Sequence, residues 1–124
     1  MRDAGWRVDR LADRIRGEVA GMISGELKDP RIGFTTVTRV ELSPDLHHAR
    51  VRISVLGDEA TQQRTLEGLT SAAGYVRREV SHRLRLHRVP DLTFVLDHSP
   101  EETDRMEALL QNPKSSGQAT GDGE

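Results

Sequence analysis

Residues 66–98, LEGLTSAAGYVRREVSHRLRLHRVPDLTFVLDH, constrain the fold most, because they prescribe a helix, its end and a strand in one run. Leu66, Leu69, Ala73, Val76, Val80 and Leu84 recur at steps of three and four, which makes one apolar stripe of a helix. Gly74 interrupts the stripe at a cost of about 1 kcal/mol relative to alanine. Arg77, Arg78, Arg83, Arg85 and Arg88 crowd the second half. Val89-Pro90 is expected to end the helix, since the residue before a proline is pushed out of the α region. Leu92, Phe94 and Leu96 then alternate with Thr93, Val95 and Asp97 as a strand does. Two readings of Ala72-Ala73-Gly74 stand side by side. It is a loop between two helices, or a place where small residues let another backbone come close.

The rest of the chain supplies partners for this unit. Val8, Leu11, Ile15, Val19, Met22, Ile23 and Leu27 form a single stripe, which predicts a first helix from about Trp6 to Leu27. At about 100° per residue, Arg7, Arg10, Arg14, Gly17, Gly21 and Gly25 share another face. Three helical glycines are costly, so this bare, basic face is expected to admit a large partner close to the backbone. Lys28-Asp29-Pro30-Arg31-Ile32-Gly33 reads as a loop. Phe34–Leu42 and Ala49–Val55 read as a hairpin around Ser43-Pro44-Asp45. Ala49, Val51, Ile53 and Val55 point to a core face and Arg50, Arg52 and Ser54 to a polar one. Asp58 is placed to cap a helix beginning at Glu59. Ser71, Tyr75, Arg78, His82 and Arg85 fall opposite its core stripe, and Arg83 falls nearer the core, where a structural role is expected. Ser99-Pro100-Glu101-Glu102 signals a further short helix with Met106, Leu109 and Leu110 as its apolar edge. From Asn112 onward the chain has no apolar anchor, and disorder is expected.

Charge sharpens the picture. The 124 residues carry a net charge of −2, but residues 99–124 alone are −4, and residues 75–90 are +4. Lysine occurs only at positions 28 and 114. Arginine suits bidentate contacts to phosphate, and a GC-rich genome gives the same bias. There is no cysteine, which removes disulfides and thiolate metal sites. No apolar run reaches the ~18 residues of a membrane span. His47 and His48 lack the companions a metal site needs. No glycine-rich nucleotide loop, nucleophile elbow or paired-histidine metal motif is present. A cytosolic, non-enzymatic protein is expected, without cofactor, metal, membrane or small-molecule substrate. The candidate nucleic-acid-binding residues are Arg7, Arg10, Arg14, Lys28, Arg31, Ser71, Ala72, Ala73, Gly74, Tyr75, Arg77, Arg78, His82, Arg85 and Arg88.

The element order predicts an α+β domain over residues 1–111, followed by an acidic tail at 112–124. Its elements are helix, strand, strand, kinked helix pair and strand, with a three-stranded sheet and the helices on one face. The paired helices resemble those of KH domains, with Ala72-Ala73-Gly74 where those carry a GxxG loop. With Asp29-Pro30-Arg31 after the first helix and the run from Pro90 to Ser99, residues 6–111 resemble bacterial ribosome-binding factor A. That resemblance implies a type II KH-like fold and a non-catalytic, monomeric factor. It also implies binding to the 30S small subunit and 16S rRNA, and a role in late subunit maturation and rRNA processing tied to growth in the cold. Two other classes stay open: a stand-alone KH-like binder of single-stranded nucleic acid, and a protein-interaction module for an acidic partner. Contacts to backbone and shape are expected rather than base readout. The acidic tail is expected to discourage non-specific RNA contact.

Overall fold

The computed structural model describes residues 2–98, with side chains from Arg7 onward, as two helices and a three-stranded mixed sheet. The order is α1 (Arg2–Gly25), β1 (Thr35–Leu42), β2 (His48–Val55), α2 (Glu59–Leu84) and β3 (Asp91–Leu96). The expected helix from Ser99, the tail from Asn112 and the division at residue 111 lie outside the described residues.

β2 is the central strand, antiparallel to β1 and parallel to β3, with α2 as the crossover that parallel pairing requires. Its alternation sorts the sheet into two faces. Ala49, Val51, Ile53 and Val55 are buried, together with Val37, Val40, Leu92 and Phe94 of the flanking strands. Ile15, Val19, Met22 and Ile23 of α1 and Leu69, Val76, Val80 and Leu84 of α2 close this one core, so both helices cover the same face. Among the described residues no helix lies against the other face. A register shift in β1 between Val37 and Arg39 puts Arg39 opposite Arg52 and Glu41 opposite Arg50, all four on the uncovered side.

The expected pair of helices is one uninterrupted helix. α2 runs 26 residues through Ala72-Ala73-Gly74 without a break. Ala72 and Ala73 are half-buried against the core and keep the stripe continuous, which outweighs the modest cost of one glycine. Asp58 caps its start as expected, its carboxylate accepting from the Thr61 N–H at 2.9 Å, and Gly57 turns the chain into it at φ 131°. The helix ends at Leu84, earlier than the Val89-Pro90 signal. Arg85 adopts the left-handed conformation (φ 54°, ψ 49°), its N–H reaching the His82 carbonyl and the Leu86 N–H the Ser81 carbonyl. That is a Schellman ending with arginine where glycine is usual. Pro90 instead sits buried at the start of β3.

The Asp29-Pro30-Arg31 loop is latched to α2. The Asp29 carboxylate accepts from the Arg31 N–H at 2.9 Å and takes its guanidinium at 2.7 Å, while the same guanidinium donates to Ser71 Oγ at 3.2 Å. This pairing holds the Asp29 carboxyl below its usual range. Beneath it, a Cβ on Gly68 would lie 2.9 Å from Ile32 Cγ1, so only glycine lets the loop come this close. Thr65, fully buried, accepts from the Gly33 N–H at 3.0 Å and donates to the Arg31 carbonyl at 3.3 Å. Thr65→Val keeps the shape and strands both backbone groups, so urea unfolding should show a loss of about 1–3 kcal/mol.

Candidate nucleic-acid interface

Because α1 and α2 lie on the same face of the sheet, the sides opposite their core stripes both look away from it. Arg7, Arg10, Arg14, Gly17, Gly21 and Gly25 are exposed on α1, and Ser71, Gly74, Arg78 and His82, with Arg85 just beyond the helix, on α2. Among the described residues, the side chains of Arg7, Arg14, Lys28, Arg78 and Arg85 have no hydrogen bond or ion pair. Their charge is left for a partner.

Other candidates are already engaged. Arg31 belongs to the loop latch. Arg77 donates to the Val89 and Pro90 carbonyls at 3.0 and 3.3 Å and pairs with Asp91 at 3.4 Å, fastening the loop between α2 and β3. Arg88 lies 3.2 Å from Nε2 of His47, whose Nδ1 faces Asp45 at 3.6 Å. Tyr75 donates to Glu26 at 3.5 Å and so lies on the seam between the helices. Ala72 and Ala73 face the core, and only Gly74 of that trio stands at the surface. A shallow cleft beside Gly74 gathers Arg77, Arg78, Ser81, Arg88 and His87. His87 was not among the sequence candidates, although it adjoins Arg88 in the loop after α2.

Arg83 is the structural arginine expected from its position. It bridges the helices, meeting Glu26 with two contacts of 2.7 Å, Glu79 at 3.1 Å and Glu18 at 3.8 Å. The hydrogen bond from Arg83 holds the Glu26 carboxyl below its ordinary 4.5. A carboxyl with a depressed folded pKa stabilises the fold above its unfolded value and stops doing so as pH falls through the folded one. Melting temperature should therefore drop below about pH 4.5, and the gap between wild type and Glu26→Gln should close as the pH is lowered further. Equal acid sensitivity in the two proteins would remove this pair as the cause.

The glycines of this layer are bare. Among the described residues, a Cβ at Gly17, Gly21, Gly25 or Gly74 would meet nothing within 4 Å, so no contact there calls for them. Replacing Gly17 and Gly21 with alanine should raise stability by up to about 1 kcal/mol each in thermal unfolding. Binding to a large partner should weaken in the same variant, and unchanged binding would show that the face is not approached closely.

Among the described residues there is no cluster of three or more potential metal ligands, and no helix is long and apolar enough to cross a membrane. The described surface of the helix layer offers cations and bare backbone. That suits recognition of a phosphate-rich surface.

Comparison with known proteins gives a consistent result. The family model for ribosome-binding factor A matches residues 7–110. A ribosome-binding factor A of Thermomicrobium roseum is 45% identical over 106 residues, covering 86% of this chain and 82% of that protein. The crystal structure of ribosome-binding factor A from Thermus thermophilus superposes with a TM-score of 0.64 at 27% identity, covering 72% of this chain and 94% of that one. A homology model of the Thermus thermophilus factor, fitted into the cryo-EM map of a 30S–RbfA complex, gives 0.62 at 26% identity, covering 73% and 96%. These neighbours have a KH-like fold, and this chain shares it.

Proposed function

The chain belongs to the ribosome-binding factor A family, and from that premise we propose that it binds free 30S subunits and contacts 16S rRNA. In this reading it is a cytoplasmic, monomeric, non-catalytic factor that assists late 30S maturation and 16S rRNA processing, with greatest demand in the cold. The observation that carries the reading is the outer side of the helix layer. There Arg14, Arg78 and Arg85 stand unpartnered among the described residues beside bare Gly17, Gly21 and Gly74. Arginine forks match phosphate oxygens, and missing side chains let an RNA backbone reach the helices. Arg7, Arg10, Lys28, Ser71, Tyr75 and His82 border this surface, while Arg31, Arg77 and Arg88 shape the loops at its margin.

The test is sedimentation of the tagged protein through a sucrose gradient of cell lysate at low and high salt. Travel with free small subunits, absence from translating ribosomes and release at high salt are expected. A protein that stays at the top at both salts would end this reading. Tight binding to short oligonucleotides would then mark a stand-alone single-strand binder, and a partner that survives nuclease would mark a protein-interaction module.

A further inference from the structure

The uncovered face of the sheet holds a second group of arginines that the helix-layer surface does not use. Arg39, Arg50 and Arg52 converge on one carboxylate, Glu41, at 3.3, 3.7 and 3.0 Å. The β1 register shift brings them together, since without it Arg39 and Glu41 would not share a face with Arg50 and Arg52. Burial works against the Glu41 charge, but the hydrogen bonds from Arg52 and Arg39 outweigh it and leave the carboxyl lowered, so the group is an anion holding three cations. Arg39 and Arg50 keep 66% and 57% of their side-chain surface exposed, against 29% for Arg52. Beside them Glu41, Ser43, His48, Arg50 and Thr93 line a shallow concavity. Asp97, which accepts from Thr38 at 2.6 Å at the margin of this group, leaves cations in excess.

Cross-strand Arg–Glu pairs alone stabilise a sheet when charges match one to one. Three guanidiniums on one carboxylate leave positive charge over, gathered on a face that no helix covers among the described residues. We propose that this sheet face is a second phosphate-binding surface, seating a separate stretch of RNA backbone on the side opposite the helix layer. The protein then lies between two RNA segments and holds them at a fixed separation. This rests on the small-subunit reading above, and its test is chosen to fail separately from it.

The experiment measures affinity for purified 30S subunits at several salt concentrations. The proteins are Arg39→Ala/Arg50→Ala, Glu41→Gln, and a helix-layer variant, Arg14→Ala/Arg78→Ala. Losing two phosphate contacts should weaken binding about twentyfold near 0.15 M salt and lower the salt slope by about 1.5. Glu41→Gln should bind several-fold more tightly, because it releases the arginines, whereas a purely structural Glu41 would give no gain. A benzophenone side chain at Thr93, paired with Arg50 on this face, should crosslink to rRNA. Wild-type affinity and slope in the Arg39/Arg50 variant would overturn the proposal, and so would a crosslink to a ribosomal protein or none at all. If the helix-layer variant alone loses binding, the proposed function stands without the second surface. If neither variant changes binding, both fall.

Discussion

Arg14→Ala/Arg78→Ala/Arg85→Ala should bind 30S subunits about a hundredfold more weakly than wild type near 0.15 M salt. The figure follows from counterion release. Each phosphate neutralised contributes a slope of about 0.7–0.9 in log K against log salt, so three contacts multiply to roughly two orders of magnitude. None of the three side chains has a hydrogen bond or ion pair among the described residues, and all are exposed. The folded state should be nearly indifferent to their removal, and circular dichroism and melting temperature should match wild type. A matching change at Arg31, Arg77 and Arg83 should do the opposite and damage the fold, because those guanidiniums fasten the first loop, the loop before β3 and the helix pair. Binding that survives the first substitution would place the interface elsewhere.

Phe94→Ala should cost about 3–5 kcal/mol. Phe94 is 4% exposed, sits opposite Val51 on the central strand and faces the helix layer. Aromatic residues make up only 3% of the chain, so little bulk is at hand to close the hole. A domain of this size is stable by about 5–15 kcal/mol, so this one change removes a large share of the total. Thermal unfolding should move down by at least about 12 °C, since each kcal/mol shifts such a domain by about 4–8 °C. A shift of only a few degrees would mean that the core collapses around the vacancy. Phe34, by contrast, is 73% exposed, and its loss should leave stability close to unchanged.

The periodic elements were legible because burial leaves a period. The stripe Ile15, Val19, Met22, Ile23 and the alternation Ala49, Val51, Ile53, Val55 become the core as written, and Asp58 caps α2 as its chemistry dictates. Arg83 could be set apart as structural from helical phase alone, although its three carboxylates come from α1, the turn just after it and α2, and could not be foreseen as a set. Local geometry against the usual preference was not legible. An arginine at φ 54° ends α2 five residues before Pro90, and the alternation in β1 breaks at Thr38, which decides the side on which Arg39 and Glu41 lie. The use of each cation was hidden as well. Arg77 and Arg78 are neighbours with the same chemistry, yet one is fastened to two carbonyls and the other has no partner among the described residues. Sequence spacing puts both on α2, and only the return of the chain at residues 89–91 tells them apart.

In the proposed function, arginines of the helix layer read backbone phosphates. The salt dependence of 30S affinity in wild type and in Arg14→Ala/Arg78→Ala/Arg85→Ala tests this. Log K should fall linearly with log salt for both proteins, with the variant's slope shallower by about 2–3. Parallel lines, with the variant merely displaced or not displaced at all, would contradict the claim, because three lost phosphate contacts cannot leave the slope unchanged.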